Sequence, residues 1–523
     1  EQFVAHWADT QLKESASYVT HFDDLCELLG HPKPAHMDKT GAEFTYQKGV
    51  NISESKQGFA DVFYRGHFAV EYKGKAKHKD LSEAYNQLLR YKDALENPPL
   101  LVVCDIERYE IHTNFNNAIS ATYTFTNADL ARATPVAGTP LTALQLLDKL
   151  FHDPEALRPH QTPDDVTKDA AKRFAELADA LDKKHHIPHA QAARFLVKLV
   201  FCLFCEDVGL LPKGLFQKII TTTRDNPREF ARNVRDLFGA MAVGGRIVWG
   251  EPIHHFDGGL FTADADADVA GLDGADARLL ERTAELNWSD VNPTIFGTLF
   301  ERALDIEGKR SQLGAHYTSR ADIEAIVAPV LMSPLRREWA DVQQQVAQAK
   351  QKASREKLLR AFQDKLASVT VLDPACGSGN FLYVSLSLLK DLEKQVITHG
   401  LSVGVPDLEP RVHPSQLYGI EIDDFAYQLA SIVVWIGYLQ WKVKNGYPPA
   451  GETPILKPLN SIRQMDAILA EIPNPKTQIS TEPEWSPVDV IVGNPPFLGG
   501  SKLRGELGDE YVDALFKLFS DRL

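Results

Sequence analysis

Three polar residues near the N-terminus stand at a spacing suited to work on a phosphodiester. Asp61 and Glu71 are separated by nine residues, and Lys73 follows Glu71 by two. Side chains on a strand repeat with period two, so Glu71 and Lys73 share a face. Two carboxylates beside an ammonium can hold Mg²⁺ and activate a water against phosphate. Gly58-Phe59-Ala60-Asp61 supplies the lead-in, and Gln87 and Tyr91, four apart on a helical pattern, share a face beyond it. Lys73, Lys75, Lys77 and Lys79, with His78, form a basic stretch suited to phosphates. Read singly, these residues also make a surface ion pair and a solvated loop.

A second constellation lies toward the C-terminus. Val369-Thr370-Val371-Leu372 is a β-rich run, followed by Asp373-Pro374-Ala375-Cys376-Gly377-Ser378-Gly379-Asn380-Phe381-Leu382 and an amphipathic stretch to about Leu392. Strand, glycine turn and helix in that order open a nucleotide-binding α/β unit. The turn is neither G-x-G-x-x-G nor a phosphate-binding loop with its Lys-Ser/Thr pair. An acid before the turn repels pyrophosphate but suits a cationic ligand that carries an amino acid, such as S-adenosylmethionine (AdoMet). Leu417–Asp423 reads as a second strand ending in acids, with Glu421 placed to accept from ribose hydroxyls. Val488–Val492 reads as a buried strand that runs into Asn494-Pro495-Pro496-Phe497. Two consecutive prolines remove backbone donors and stiffen the turn, leaving carbonyls and the Asn494 amide beside an aromatic face.

The elements that must position these groups follow from the rest of the chain. At 523 residues, two or three domains are expected. The charge sum of −15 weighs against wholesale coating of nucleic acid, while leaving room for a local basic groove. Phe68–Tyr72 and Leu100–Cys104 read as strands around a helical pattern at Leu81–Leu95. Pro135, Pro140, Pro154, Pro159 and Pro163 place a boundary or linker between about 127 and 163. Thr162-Pro163-Asp164-Asp165 resembles a helix start. Residues from about 163 to 310 read as a mostly helical segment, and 340–366 as one polar helix.

Five cysteines fit a reducing compartment, and Cys202 and Cys205 read as core thiols on a helix, with no second CxxC to complete a zinc site. Asp264, Asp266 and Asp268 resemble a calcium loop, but Val269 and Ala275 stand where such a loop needs Gly and Glu. An acidic turn is the expectation. The chain shows neither a membrane span nor a signal-like N-terminus, so a cytoplasmic protein is expected.

Asp-Pro-Ala-Cys-Gly-Ser-Gly-Asn-Phe-Leu at 373–382 followed by Asn-Pro-Pro-Phe at 494–497 resembles the N6-adenine DNA methyltransferases of the amino-methylating group. Gly314-Ala315-His316-Tyr317-Thr318 matches the G-x-x-Y-T element that precedes the glycine turn there. The resemblance implies that Gly314, Tyr317 and Thr318 meet the methionine end of AdoMet. Asp373, Pro374, Ala375, Gly377, Gly379, Asn380 and Phe381 would form its turn, with Glu421 on the ribose, Asp466 on the adenine and Asn494 also at the cofactor. Asn494 and the Pro495 carbonyl would accept from the amino group of an adenine flipped out of duplex DNA, with Pro496 stiffening the turn and Phe497 stacking.

Asp61, Glu71 and Lys73, with Gln87 and Tyr91 in a strand–helix–strand context, are similar to the PD-(D/E)XK nucleases. That resemblance makes Asp61 and Glu71 metal ligands and Lys73 the activating lysine. The order of the whole chain resembles single-polypeptide type II restriction–modification enzymes, the type IIL and IIG group. It implies an α/β multidomain protein: a nuclease-like domain at 1–155, a helical spacer at 156–310 and a Rossmann-like methyltransferase core at 311–523.

The implied cofactors are AdoMet and Mg²⁺, the implied partner is double-stranded DNA, and action on DNA in a bacterial cytoplasm, with oligomerisation for cleavage, would follow. Phe201–Asp207 and Pro293–Gly297 also fit the group. The chain ends 26 residues after Phe497, so the resemblance implies an incomplete methyltransferase core without its target-recognition domain. An alternative is a phage-defence methyltransferase whose N-terminal domain binds DNA without cutting. A third is a non-enzymatic DNA-binding or assembly subunit.

Overall fold

The computed structural model describes residues 1–8, 14–49, 60–74, 81–256, 260–261, 272–294, 297, 318–448, 459–471, 480–497, 500 and 502–522. Outside them lie Gly58, Phe59, Lys75, Lys77, His78 and Lys79, the acidic run at 264–269, Ile295, Phe296 and Gly314 to Tyr317.

The N-terminal part is built on a six-stranded sheet of sequential order: β1 (Phe44–Lys48), β2 (Ala60–Tyr64), β3 (Phe68–Tyr72), β4 (Leu100–Cys104), β5 (Arg108–Thr113) and β6 (Thr122–Thr126). Only β3 and β4 are parallel, and helix α2 (Ser82–Tyr91), which follows α1 (Glu14–Leu28) in the chain, crosses between them. All five residues of both strands are buried because both faces are covered. Tyr18, Phe22 and Leu25 of α1 pack with Val62, Phe68, Val70 and Tyr72 on one face. Ala84, Leu88 and Leu89 of α2 pack with Phe63, Ala69, Leu101 and Val103 on the other. That alternation turns Asp61, Glu71 and Lys73 toward α2.

The proline-rich stretch is not a free linker. Its middle forms α3 (Ala143–His152), capped by reciprocal bonds between Thr142 and Gln145, and Leu146, Leu147, Leu150 and Phe151 enter the sheet's core. Helical periodicity between the prolines outweighed the prolines themselves. The next helix, α4 (Pro163–Lys183), begins as expected, with Thr162 and Asp165 exchanging cap bonds.

Among the described residues, helices α5 (His189–Asp207), α6 (Leu215–Thr223), α7 (Pro227–Val243) and α8 (Gly274–Ala284) continue the middle segment. Cys202 and Cys205 are fully buried free thiols, as expected of core residues. Glu206 accepts the first N–H groups of α6 from Phe216 and Gln217, and Asp207 accepts from the Trp288 backbone at 2.6 Å. The acids of the Phe201–Asp207 motif are therefore loop anchors.

Helices α9 (Arg320–Val327), α10 (Ser333–Gln348) and α11 (Lys352–Ser368) lead into the C-terminal part. The single polar helix expected at 340–366 is two helices. Ala349 turns extended, Arg355 Nε holds its carbonyl at 2.8 Å, and Trp339 of α10 stacks on Phe362 of α11. Burial of that aromatic pair favours a hairpin over a straight rod.

A four-stranded, wholly parallel sheet follows: β7 (Val371–Asp373), β8 (Leu417–Glu421), β9 (Ile462–Gln464) and β10 (Val490–Ile491), in spatial order β9-β8-β7-β10. Helix α12 (Asn380–Ser402) connects β7 to β8, and α13 (Asp424–Lys444) follows β8. The chain winds one way from β7 to β9, then returns to the far side of β7 with β10. That reversal is a doubly wound switch point, beyond whose carboxyl ends ligands bind. The strand expected to be buried at 488–492 is an edge: Ile491 is 53% exposed, and among the described residues only β7 pairs with it.

One apolar cluster runs unbroken from Val166 in α4 to Val492 past β10. Gln440 of α13 joins it by donating to the Val291 carbonyl at 2.7 Å. Among the described residues, no helix is long and apolar enough to cross a membrane.

Candidate functional site

The N-terminal cluster forms where β2 and β3 diverge. Their register pairs Val62 with Val70, and one pair further out sets Asp61 across from Glu71. Asp61 accepts the Tyr72 backbone N–H at 2.7 Å, which fixes its carboxylate at the strand end. Lys73 Nζ donates to Glu71 Oε1 at 2.8 Å, and Gln87 Nε2 of α2 donates to the same oxygen at 2.8 Å. Glu71 is 6% exposed. Burial, then the Asp61 carboxylate, push it up to about 7 against the pull of Lys73 and Gln87. The structure therefore brings together Asp61, Glu71, Lys73 and Gln87, and burial raises the Tyr91 hydroxyl one turn beyond Gln87. Two hard oxygen donors with an adjacent ammonium match what Mg²⁺ and a phosphate require, since Mg²⁺ keeps several waters and takes one or two carboxylates.

At the C-terminal sheet, β7 delivers Asp373, which is 1% exposed. Its Oδ1 accepts the Ala375 N–H at 3.0 Å across Pro374. Burial pushes Asp373 up to about 7, Glu421 adding to the rise and the Ala375 N–H opposing it. Gly377 N–H donates to Glu421 Oε2 at 2.8 Å, while the other oxygen of Glu421 accepts from Ile422 and Asp423, each at 2.9 Å. Glu421 thereby knits the end of β8 to the glycine turn. Gly379 has φ +82°, and a methyl group there would stand 3.0 Å from the Ala430 backbone of α13, so the turn needs glycine. Helix α12 starts at Asn380, whose buried Oδ1 has no partner among the described residues. Phe381 is 5% exposed and packs in the core.

Beyond β10, Asn494 Nδ2 donates to Thr318 Oγ1 at 3.3 Å. Pro495, Pro496 and Phe497 are exposed, the last at 83%. Asp466 follows β9, where its Oδ1 accepts from Ile468 and Leu469 and its Oδ2 accepts the Tyr511 hydroxyl at 2.8 Å. Tyr511 has no spacing signal in the sequence, being 45 positions away. The carboxyl edge of the sheet thus gathers Asp373, Glu421, Asp466 and, through Asn494, Thr318.

A third acidic cluster serves structure. His185, Asp273 and Asp276 bring ligand atoms within 4.8 Å of one another. Lys184 Nζ is bound to both carboxylates, so an ammonium already holds the cation's place.

The parallel doubly wound sheet, with its acid–glycine turn and Asn-Pro-Pro-Phe at the switch point, defines the methyltransferase class of α/β protein, here joined to a mixed-sheet N-terminal domain. Three family profiles match in succession: "MmeI, N-terminal domain" over residues 1–184, "MmeI, helicase spacer domain" over 190–261 and "MmeI, DNA-methyltransferase domain" over 346–520. Taken together the three matches span most of the chain, which belongs to the MmeI family.

DNA methyltransferase A of Bacillus subtilis (strain 168) is 29% identical over 373 residues, covering 69% of this chain and 40% of that protein. The solved structure of the type IIL restriction-modification enzyme MmeI in complex with DNA is 31% identical with a TM-score of 0.50, covering 65% of this chain and 45% of that one. The chain thus spans less than half the length of either relative.

Proposed function

We propose that this protein is part of a bifunctional enzyme that methylates adenine N6 within a specific DNA site and cleaves unmodified DNA with Mg²⁺. The observation that carries the methylation half is the convergence of Asn494 with Thr318 at the switch point beside the Asp373 turn. The buried Asn380 oxygen, without a donor among the described residues, and two acids at the strand ends suit the cationic amino-acid end of an AdoMet-sized ligand. Bound there, AdoMet supplies an electrophilic methyl group.

The chain's own residues do the rest. Asp373 offers a negative charge to the ligand's ammonium end, and Glu421, swinging from Gly377, accepts from its hydroxyls. Asn494 and the Pro495 carbonyl accept hydrogen bonds from an extruded adenine's amino group, holding its nitrogen lone pair in line with the methyl. Phe497, whose ring is exposed, stacks on the base. Thr318 sets the Asn494 side chain in place.

For cleavage, Asp61 and Glu71 would hold Mg²⁺, which would supply Lewis acidity and a hydroxide nucleophile at a phosphate. Lys73 stabilises the attacking hydroxide and the developing charge. Gln87 orients Glu71.

The test compares cleavage of unmethylated DNA by the full-length protein, with Mg²⁺ and AdoMet, for wild type and Lys73→Ala. Discrete fragments from wild type alone support both activities. Uncut DNA that still gains N6-methyladenine would leave a methyltransferase whose N-terminal domain only binds DNA.

A further inference from the structure

Helix α2 faces two ways. Gln87 reaches Glu71 at 2.8 Å, while Arg90, one turn on, donates Nη1 to the Gly446 carbonyl at 3.0 Å, across 356 positions of sequence. Gly446 follows the last turn of α13 with φ +77°. A methyl group there would collide with the Asn86 carbonyl and stand 3.1 Å from the Arg90 backbone nitrogen, so the two segments can meet this closely only at glycine. Asp93, just past α2, pairs with Lys394 of α12 at 2.8 Å. Leu401 of α12 is 4% exposed and sits in the small apolar cluster of Leu88, Leu89, Leu95, Leu101 and Val103. A leucine of the methyltransferase side therefore completes the core under α2.

We propose that the Arg90–Gly446 joint positions Gln87, so that the Asp61–Glu71–Lys73 cluster keeps its working geometry only while α2 is seated on α12 and α13. The inference rests on reading that cluster as a nuclease site. Arg90 and Gly446 are positioning residues: neither belongs to the Asp61–Glu71–Lys73 cluster, and both act through the α2 backbone and the Gln87–Glu71 bond. Methyl transfer does not depend on the joint, because Gly446 lies past the C-terminal end of α13 while Glu421 and the glycine turn lie at its N-terminal end.

The test uses the full-length protein on unmethylated plasmid DNA with AdoMet and graded Mg²⁺, comparing wild type, Arg90→Ala, Arg90→Lys, Gly446→Ala and Lys73→Ala. Arg90→Ala and Gly446→Ala are expected to slow cutting by about tenfold to a hundredfold, the range for small misplacements of catalytic groups. They should also raise the Mg²⁺ concentration giving half the maximal rate and leave methylation unchanged, with Arg90→Lys restoring part of the loss. Loss of methylation together with cutting would mean a purely structural contact and overturn the proposal. Wild-type cutting with an unchanged Mg²⁺ requirement in both variants, alongside an inactive Lys73→Ala, would overturn it while the nuclease reading stands. If wild type does not cut, or Lys73→Ala cuts equally well, the nuclease reading fails and the inference falls with it.

Discussion

Asn494 donates to Thr318 at 3.3 Å, joining two segments 176 positions apart. The bond ties the Asn-Pro-Pro-Phe turn to the element ahead of the glycine turn, so the groups proposed for base and cofactor share one frame. Asn494→Ala is expected to lower DNA methylation by about a hundredfold or more, the cost of deleting a polar group aimed at the reacting centre. AdoMet affinity, measured by calorimetry, should fall far less than methylation. Methylation that survives Asn494→Ala would place the base elsewhere.

The pH response of cofactor binding should report Asp373. Its carboxyl is raised from the ordinary 3.8 to about 7, so near pH 6 a cationic ligand must displace a proton. Affinity for AdoMet is expected to weaken about tenfold between about pH 7.5 and about pH 6, and Asp373→Asn should flatten that slope. The sign for folding is opposite. A raised carboxyl value favours the protonated native state, so this group's contribution is fullest below the ordinary value and is lost as pH climbs toward 7. A wild-type affinity that ignores pH would remove Asp373 from the ligand.

Metal removal should separate the two activities. With excess EDTA, or in Lys73→Ala, cutting should fall by about a hundredfold to ten-thousandfold, while methylation continues. Measuring radiolabelled methyl transfer and DNA fragmentation in the same tube checks this. Methylation that stopped with chelation would place a metal at the C-terminal sheet instead.

Stability should hinge on a buried ion pair within α12. Lys390 and Glu393 are 0% exposed and bonded at 3.0 Å, and Lys390 also lies 4.2 Å over the Trp441 ring. Glu393 further accepts the Val412 N–H at 2.9 Å, anchoring the approach to β8. Lys390→Met leaves that carboxylate unpaired in the core and is expected to destabilise folding by about 3–5 kcal/mol. Denaturant titration would measure it, and a change below about 1 kcal/mol would show that Val412 and Arg411 suffice as partners.

Much of this was legible because local chemistry and tertiary placement agree. The β-rich runs at 68–72 and 100–104 read as strands, and both form with every residue buried. The two-residue step from Glu71 to Lys73 fixed their common side, and Thr162 with Asp165 marked a helix start. Less legible was whatever depends on a distant partner. The hairpin at 349–351 is set by Trp339 meeting Phe362, and the exposure of Ile491 by β10 lying at the sheet edge. Tyr511 on Asp466 and Gly446 under Arg90 have no local pattern at all. The helix at 143–152 was hidden by flanking prolines, although its Leu146–Leu147–Leu150–Phe151 stripe was present in the sequence.

The unbroken apolar cluster from Val166 to Val492 bears on how such proteins can be recombined. A chimera joined between α3 and α4 exchanges the N-terminal domain while keeping the buried members of that cluster together, provided the seats of Arg90 at Gly446, Asp93 at Lys394 and Leu401 under α2 are matched. A crossover between α4 and α9 would marry half of one core to half of another and leave mismatched walls such as those around Trp288 and Leu439. The units available for exchange among relatives are therefore two, and the helical middle segment travels with the methyltransferase.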